Sequence, residues 1–377
     1  MSEPELPGEA IRTRQMRLES TSARYTALMK VARQGRATRQ STRATLIDVA
    51  REAGVSVMSV SNFVRGKSVR VRTRKRVEEA IARLNYRPNV NARNLRLAEQ
   101  KSVGIVIADG DPAFLTDPFN SRLVSGLSNF LGGVDYTLDV QGTTPERVGK
   151  ATILQKLGNA ALCAILCGPK ALRKQHLESL SRLDLPVIVF QDILQLGARN
   201  MVLVRQDDFS GGRQLGQHLL QKRLRSVVFV RAALDWCAVE QREKGLRSIL
   251  ARSGSSIKFE TLIAASERFE DVQRTVGQYL ALRTPDAIVA ANDSMAAATL
   301  KSCEQAGLRV PNDLKIAGFN GFDVWRQTTP TLTTVVSPAY EMGRLAGELL
   351  LRRLAEEGFQ TRDVTLPVRL QVGESTG

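Results

Sequence analysis

The 377-residue sequence predicts an α/β protein with parallel sheets, preceded by a small helix-turn-helix head of three helices. The first observation behind this is a series of short apolar runs, VGIVIA from Val103, LCAILCG from Leu162, PVIVF from Pro186, SVVFV from Ser226, DAIVAAN from Asp286 and LKIAGFN from Leu314, alternating with amphipathic stretches. Runs apolar on both faces suit strands buried between helices, and the alternation is that of a layered α/β fold. A second is a cluster of helix-start and turn signals between Thr45 and Leu84. The third is charge. Through Lys101 there are 22 Lys and Arg against 9 Asp and Glu, and beyond it 32 against 29. A block that basic beside a nearly neutral remainder is the electrostatic footprint of a phosphate-binding module.

In chain order, residues 1–42 form an extension rich in Arg, Ser and Thr, expected to be largely disordered. Residues 43–88 form the head. Thr45 is placed as an N-cap with Asp48 three residues on, the reciprocal arrangement that satisfies orphan amides at a helix start. Leu46, Val49, Ala50 and Ala53 then recur at helical spacing, and Gly54 supplies the residue type suited to the positive φ of a tight turn. Ser56 can cap a second helix whose Val60 and Val64 face inward, leaving Val57, Met58, Ser61 and Asn62 outward. Val77, Ala80, Ile81 and Leu84 form the stripe of a third helix that stops before Pro88. Residues 89–101 are a linker, and the 276 residues from 102 to 377 give room for two α/β subdomains with a ligand cleft at the carboxyl ends of their strands.

Thr45 to Arg96 resembles the DNA-binding head of the LacI/GalR family of bacterial transcription regulators, through AGVS at 53–56, YRPN at 86–89 and ARNL at 92–95. By that resemblance the second helix lies in the major groove, with Val57, Met58 and Asn62 at its base-reading positions and Ser59 and Ser61 at positions that hold phosphates. Thr45, Ser56 and Asn89 belong to the same DNA-facing set. Two departures stand out. Asn62 stands where the family usually has Arg, and Asn suits adenine whereas Arg suits guanine. Arg70 replaces a common capping Ser and offers a phosphate contact instead. Residues Asn89 to Arg96 resemble the family's hinge helix. There Leu95 is the apolar wedge for the minor groove, and Arg93 lies beside it to meet phosphate.

The resemblance continues through PDAIVAANDSMAAATL, AGLRVPNDLKIAGFN, TTPTLTTV and EMGRLAGELLLRRL, and covers all but the N-terminal extension. It implies a two-lobed, Rossmann-like domain of the periplasmic-binding-protein kind that binds an effector and dimerises. Positions matching the family's effector contacts are Arg242 in REKG and Asp293 in AAND, joined by Phe119 and Asn120 in DPFN, Trp236, Gln191 and Asn320. An Arg fork and a carboxylate together can hold hydroxyls or an acidic group. Gln191 stands where sugar-binding members commonly have Asp. The expectation is a homodimeric repressor of a double-stranded DNA operator, controlled by a sugar-like or sugar-acid-like effector. A solute-binding component of a transport system is the rival reading, and it would lack the head.

Other chemistries find little support. Two histidines, His176 and His218, have no metal-ligand spacing, and no GxxxxGK or GxGxxG is present, so no metal, cofactor or enzymatic role is expected. Cys163 and Cys167, on one expected strand, and the distant Cys237 and Cys303 read as core residues of a reducing compartment. No apolar run approaches the roughly 20 residues that span a bilayer, and the chain starts with Glu3, Glu5 and Glu9, so a cytoplasmic location without membrane contact is expected.

Overall fold

A computed structural model describes residues 44–64, 69–84, 101–109, 114–155, 159–194, 197–251, 257–355 and 358–377. The chain divides into two compact units, the head and the body. The expected extension over 1–42 and the hinge with Asn89, Arg93 and Leu95 lie outside the described residues.

The head contains α1 (Leu46–Ala53), α2 (Val57–Val64) and α3 (Val71–Arg83). Helix α1 starts as its sequence dictates: the Asp48 amide donates to Thr45 Oγ1 at 3.3 Å and the Thr45 amide donates to Asp48 Oδ2 at 2.9 Å. It ends at Gly54, whose φ of 57° is the left-handed conformation of a C-cap, with the Gly54 amide donating to the Ala50 and Arg51 carbonyls. A side chain from α3 secures this turn, Arg76 donating to the Gly54 carbonyl at 3.1 Å. Val49, Ala50, Ala53, Val60, Val77 and Ala80 are buried together, with Leu46, Phe63, Ile81 and Leu84 packed around them. So small a core is viable because each helix contributes one apolar stripe and the turns are capped.

The body holds two parallel sheets. Its first lobe orders six strands as β11-β5-β4-β3-β1-β2, where β1 is Ser102–Ala108, β2 Thr137–Thr143, β3 Ala161–Ile165, β4 Val187–Phe190, β5 Met201–Gln206 and β11 Asp363–Leu366. The second lobe orders four as β7-β6-β8-β9, with β6 Ser226–Ala232, β7 Lys258–Ala264, β8 Ala287–Ala290 and β9 Lys315–Ala317. An antiparallel pair, β10 (Thr334–Val336) and β12 (Arg369–Gln371), extends this lobe through a bridge from Asn320 to Val336. The chain therefore leaves the first lobe after β5, returns after β10, contributes β11 and crosses again to β12. Three crossovers tie the two lobes.

Every apolar run singled out in the sequence contains a largely buried strand, and all of these but β9, which ends its sheet, have a strand on either side. The runs miss the edge strands β2, β7 and β11, which have half-exposed residues because an edge facing water on one side need not be continuously apolar, and they also miss β5, an inner strand buried along most of its length. Cys167 falls beyond the end of β3 instead of on it, since the strand stops at Ile165; its thiol donates to the Ala108 carbonyl at 3.1 Å. All four cysteines are free and buried.

Helices cover both sheets. In the first lobe α4 (Pro118–Gly132) packs on α10 (Ala339–Ala355) through Gly126 and Gly343, and in the second α6 (Asp208–Leu220) packs on α7 (Cys237–Leu250). The latter pair approaches closely through Gly212 and Gly245, since a Cβ at either would collide with the backbone of the opposite helix. Helix α5 (Lys170–Ser181) contributes Arg173, which is buried and paired with Asp192 at 2.9 Å. Helices α8 (Phe269–Leu280) and α9 (Asp293–Gln305) complete the second lobe.

Candidate functional site

Two surfaces have functional geometry. On the head, α2 is capped by Ser56, whose Oγ accepts the Ser59 amide at 3.1 Å and shares a 2.9 Å hydrogen bond with the Ser59 hydroxyl. Val57 is 45 % and Met58 67 % exposed, although both are apolar; Ser59, Ser61 and Asn62 are half-buried. Met58 and Asn62 are four residues apart, so they lie on one side of the helix. Arg70 precedes α3 without capping it, as its side chain cannot accept an amide. The first turn of α3 contains no acidic residue, and Arg70, Arg72, Arg74 and Lys75 form no ion pair among the described residues. Cations crowded at the positive end of a helix dipole are unfavourable unless an anion joins them.

In the body, the carboxyl ends of both sheets converge on a cavity of 480 Å³. Asp109 follows β1, Trp236 follows β6, Glu267 follows β7, Asn292 and Asp293 follow β8, and Asn320 follows β9. This is where open parallel sheets bind ligands, because strand ends and helix N-termini leave polar backbone groups facing a crevice. A smaller recess of 50 Å³ adjoins it and shares Asp117, Trp236, Glu267, Asn292 and Asn320. Phe119, Asn120, Gln191 and Arg242 line the recess, and Asp293 lines the main cavity. The structure thus gathers all seven residues expected at an effector site around one cleft.

Their roles differ. Arg242 is only 5 % exposed and bridges several elements: Nε donates to Asp208 Oδ1 at 2.8 Å, one terminal nitrogen to the Ala291 carbonyl at 2.7 Å, and the other to Asn320 Oδ1 at 3.1 Å. The guanidinium lies 4.0 Å from the Phe319 ring centroid. Asp208 also accepts from Gln191 Nε2 at 3.1 Å and Gln206 Nε2 at 2.7 Å, and burial pushes its carboxyl up despite the neighbouring Arg242 charge. Since Gln191 and Gln206 end strands of the first lobe and Asp208 begins a helix of the second, this network spans a crossover. Gln191 (φ 58°) and Asn320 (φ 104°) adopt left-handed conformations that cost a non-glycine residue on the order of 1 kcal/mol. Asp293 accepts from the Gly321 amide at 2.7 Å and the Thr334 hydroxyl at 2.6 Å, and burial pushes it up to about 7.

Asp109, Asp117, Glu267 and Asn292 also line the cleft but escaped the sequence reading. Asp109 directly follows the first apolar run and Asp117 opens DPFN, so strand-end placement was available as a signal for both. Glu267 had none, because β7 is an edge strand without an apolar signature.

The description "Bacterial regulatory proteins, lacI family" matches residues 45–89, and "Periplasmic binding protein-like domain" matches residues 217–376. The chain is 28 % identical to catabolite control protein A of Staphylococcus xylosus, over 88 % of this chain and 99 % of that protein. It is 27 % identical to the HTH-type transcriptional repressor PurR of Photobacterium profundum, over 88 % and 98 %. Among solved structures, a transcriptional regulator CelR–cellobiose complex is similar at TM-score 0.62 and 26 % identity, covering 88 % of this chain and all of that one. The lac repressor dimer bound to operator and the anti-inducer ONPF shares the fold at TM-score 0.64 and 22 % identity, covering 89 % and 99 %.

Proposed function

The chain belongs to the lacI family of bacterial regulatory proteins, and on that premise we propose that it is a homodimeric repressor whose operator affinity is set by a small molecule bound in the cleft. It regulates transcription by binding DNA. The observation that carries the reading is the union in one chain of a capped helix-turn-helix exposing Val57 and Met58 with a ligand-sized cavity at the strand ends. A transport component needs the cavity but has no use for the head.

In this reading Val57 and Met58 contact thymine methyls, Asn62 pairs with adenine, and Ser59, Ser61 and Arg70 hold phosphates. Thr45 and Ser56 cap the helices presented to the duplex, and Asn89, Arg93 and Leu95 belong to the segment that meets the operator centre. Pairing two heads sets half-site spacing and raises specificity above what one small module attains. Arg242 positions Asn320 and Asp293 provides a carboxylate at the cavity wall, while Phe119, Asn120, Gln191 and Trp236 shape the recess. Effector binding then biases the angle between lobes tied by three crossovers, and linkage makes the coupling reciprocal. Among the described residues no helix is long and apolar enough to cross a membrane, and a cytoplasmic location accords with the reading.

Fluorescence anisotropy with DNA from upstream of the protein's own gene tests this, at rising salt and with competitor DNA. A repressor retains its site against competitor and loses affinity steeply with salt. A folded dimer that ignores every promoter fragment would refute the reading.

A further inference from the structure

The charge of the cleft is one-sided. Among the described residues, Asp109, Asp117, Glu267, Asp271 and Asp293 line the cavity against a single cation, the exposed Arg268. Three of these carboxylates are engaged by the protein: Asp109 accepts from Asn120 Nδ2 at 3.4 Å, Asp271 from Ser266 and Arg274, and Asp293 from Thr334 and Gly321. Arg242, the cation deepest in the cleft, is spent on Asp208. Glu267 accepts from Asn292 Nδ2 at 2.9 Å and Asp117 from the Phe119 amide at 2.9 Å, both uncharged donors. Burial, joined by mutual repulsion with each other and with Asp109, pushes Asp117 up to about 6 and Glu267 up to about 7.

A second observation also points to a ligand. Asn320 is 7 % exposed and lines both the cavity and the recess. Its Oδ1 is oriented by the Arg242 guanidinium, which can only donate, and its Nδ2 makes no hydrogen bond among the described residues. Asn320, its backbone in a strained conformation, thus offers at the cavity lining an N–H donor from which a ligand oxygen would accept. Phe114, Trp236 and Phe322 add ring faces suited to stacking on a sugar-like skeleton or an ammonium.

Resting on the reading of the cleft as the effector site, we propose that the effector is a polyhydroxylated amine, its protonated nitrogen held by Asp117 and Glu267 and one of its oxygens by Asn320 Nδ2. A sugar acid or sugar phosphate would meet repulsion from the same carboxylates. A neutral sugar would leave their charge uncompensated.

Thermal shift and calorimetry on the full-length protein test this with D-glucosamine and D-glucamine as probes, against D-glucose, D-sorbitol and D-glucuronate, each at about 10 mM. At least one amine is expected to raise Tm and bind about tenfold or more tighter than its neutral counterpart, with affinity that falls as salt rises. The isosteric pair Asp117→Asn and Glu267→Gln is expected to erase that advantage; if the double variant does not fold, each single variant and the salt dependence carry the same comparison. No shift from either amine, or an equal or larger one from glucose, sorbitol or glucuronate, overturns the proposal. Binding of a neutral or acidic probe that is lost in Asn320→Ala would leave the cleft as the effector site and remove only the charge assignment. Amine binding indifferent to every cleft substitution would overturn the amine proposal and the cleft reading together.

Discussion

Asn62 and Arg242 illustrate how differently two polar residues can act. Asn62 lies half-buried on the exposed side of α2, where its neighbours Val57 and Met58 lack base-edge hydrogen-bonding groups. In the proposed reading, hydrogen-bonded base choice at that point of the operator therefore falls to one amide. Asn62→Arg is expected to change the preferred base at one position per half-site, and a binding-site selection returning the same motif for both proteins would refute the assignment. Arg242 is internal wiring. Removing its side chain strands Asp208, a carboxylate 5 % exposed, so Arg242→Ala is expected to cost about 3–5 kcal/mol in urea unfolding. The loss should shrink when Asp208→Asn is combined with it; an additive double variant would show that the pair does not act as a unit. The sequence marked both residues as contacts by position alone. That Arg242 spends three of its five donors on the protein was not legible, because its partners at Asp208, Ala291 and Asn320 are distant in the chain.

Among elements, the head was the most legible because its signals are local. Thr45 with Asp48, Gly54 and Ser56 each act within one turn of backbone, and each hydrogen bond forms where the spacing indicates. Helix α3 keeps cations in its first turn and lacks an N-cap. Arg72→Ala is thus expected to lower the slope of log affinity against log salt by about 1 without changing the preferred operator, measured by anisotropy titrations at several salt concentrations. The α6–α7 pair depends on contact that no local pattern reveals. At Gly245 a methyl group would press on the Phe209 carbonyl, and Gly245→Ala is expected to destabilise the body by about 1–3 kcal/mol, visible as an earlier melt by circular dichroism. Wild-type stability in that variant would mean the helices can part without loss.

At the scale of the whole molecule, the cleft stores unfavourable charge that the folded body tolerates. Asp117, Glu267 and Asp293 hold their protons to about 6, 7 and 7 in the folded state, against ordinary values of 3.8, 4.5 and 3.8. Carboxyls raised in this way favour the fold at low pH. Their contribution is complete below about pH 4 and is lost as pH rises through about 6 to 7, because the unfolded chain ionises first. The Tm of the free protein, relative to that of Asp117→Asn/Glu267→Gln, is therefore expected to fall between pH 4 and 7; a difference constant across that range would contradict the burial of these groups. Such a cost fits a regulator whose two lobes must respond to a ligand, since binding sites commonly trade stability for function.

The chain's own order of residues determined the helices of the head and the caps of its first two, most of the buried inner strands, the basic and neutral halves, and the strand-end positions where a ligand cleft would form. These depend on backbone propensity and periodicity, which operate over a few residues. Only the tertiary structure decided that the carboxylates after β1, before α4 and after β7 face one cavity, and that Arg242 is consumed by Asp208. Desolvation and Coulomb repulsion act through space across the crossovers, so groups more than a hundred residues apart set one another's charge.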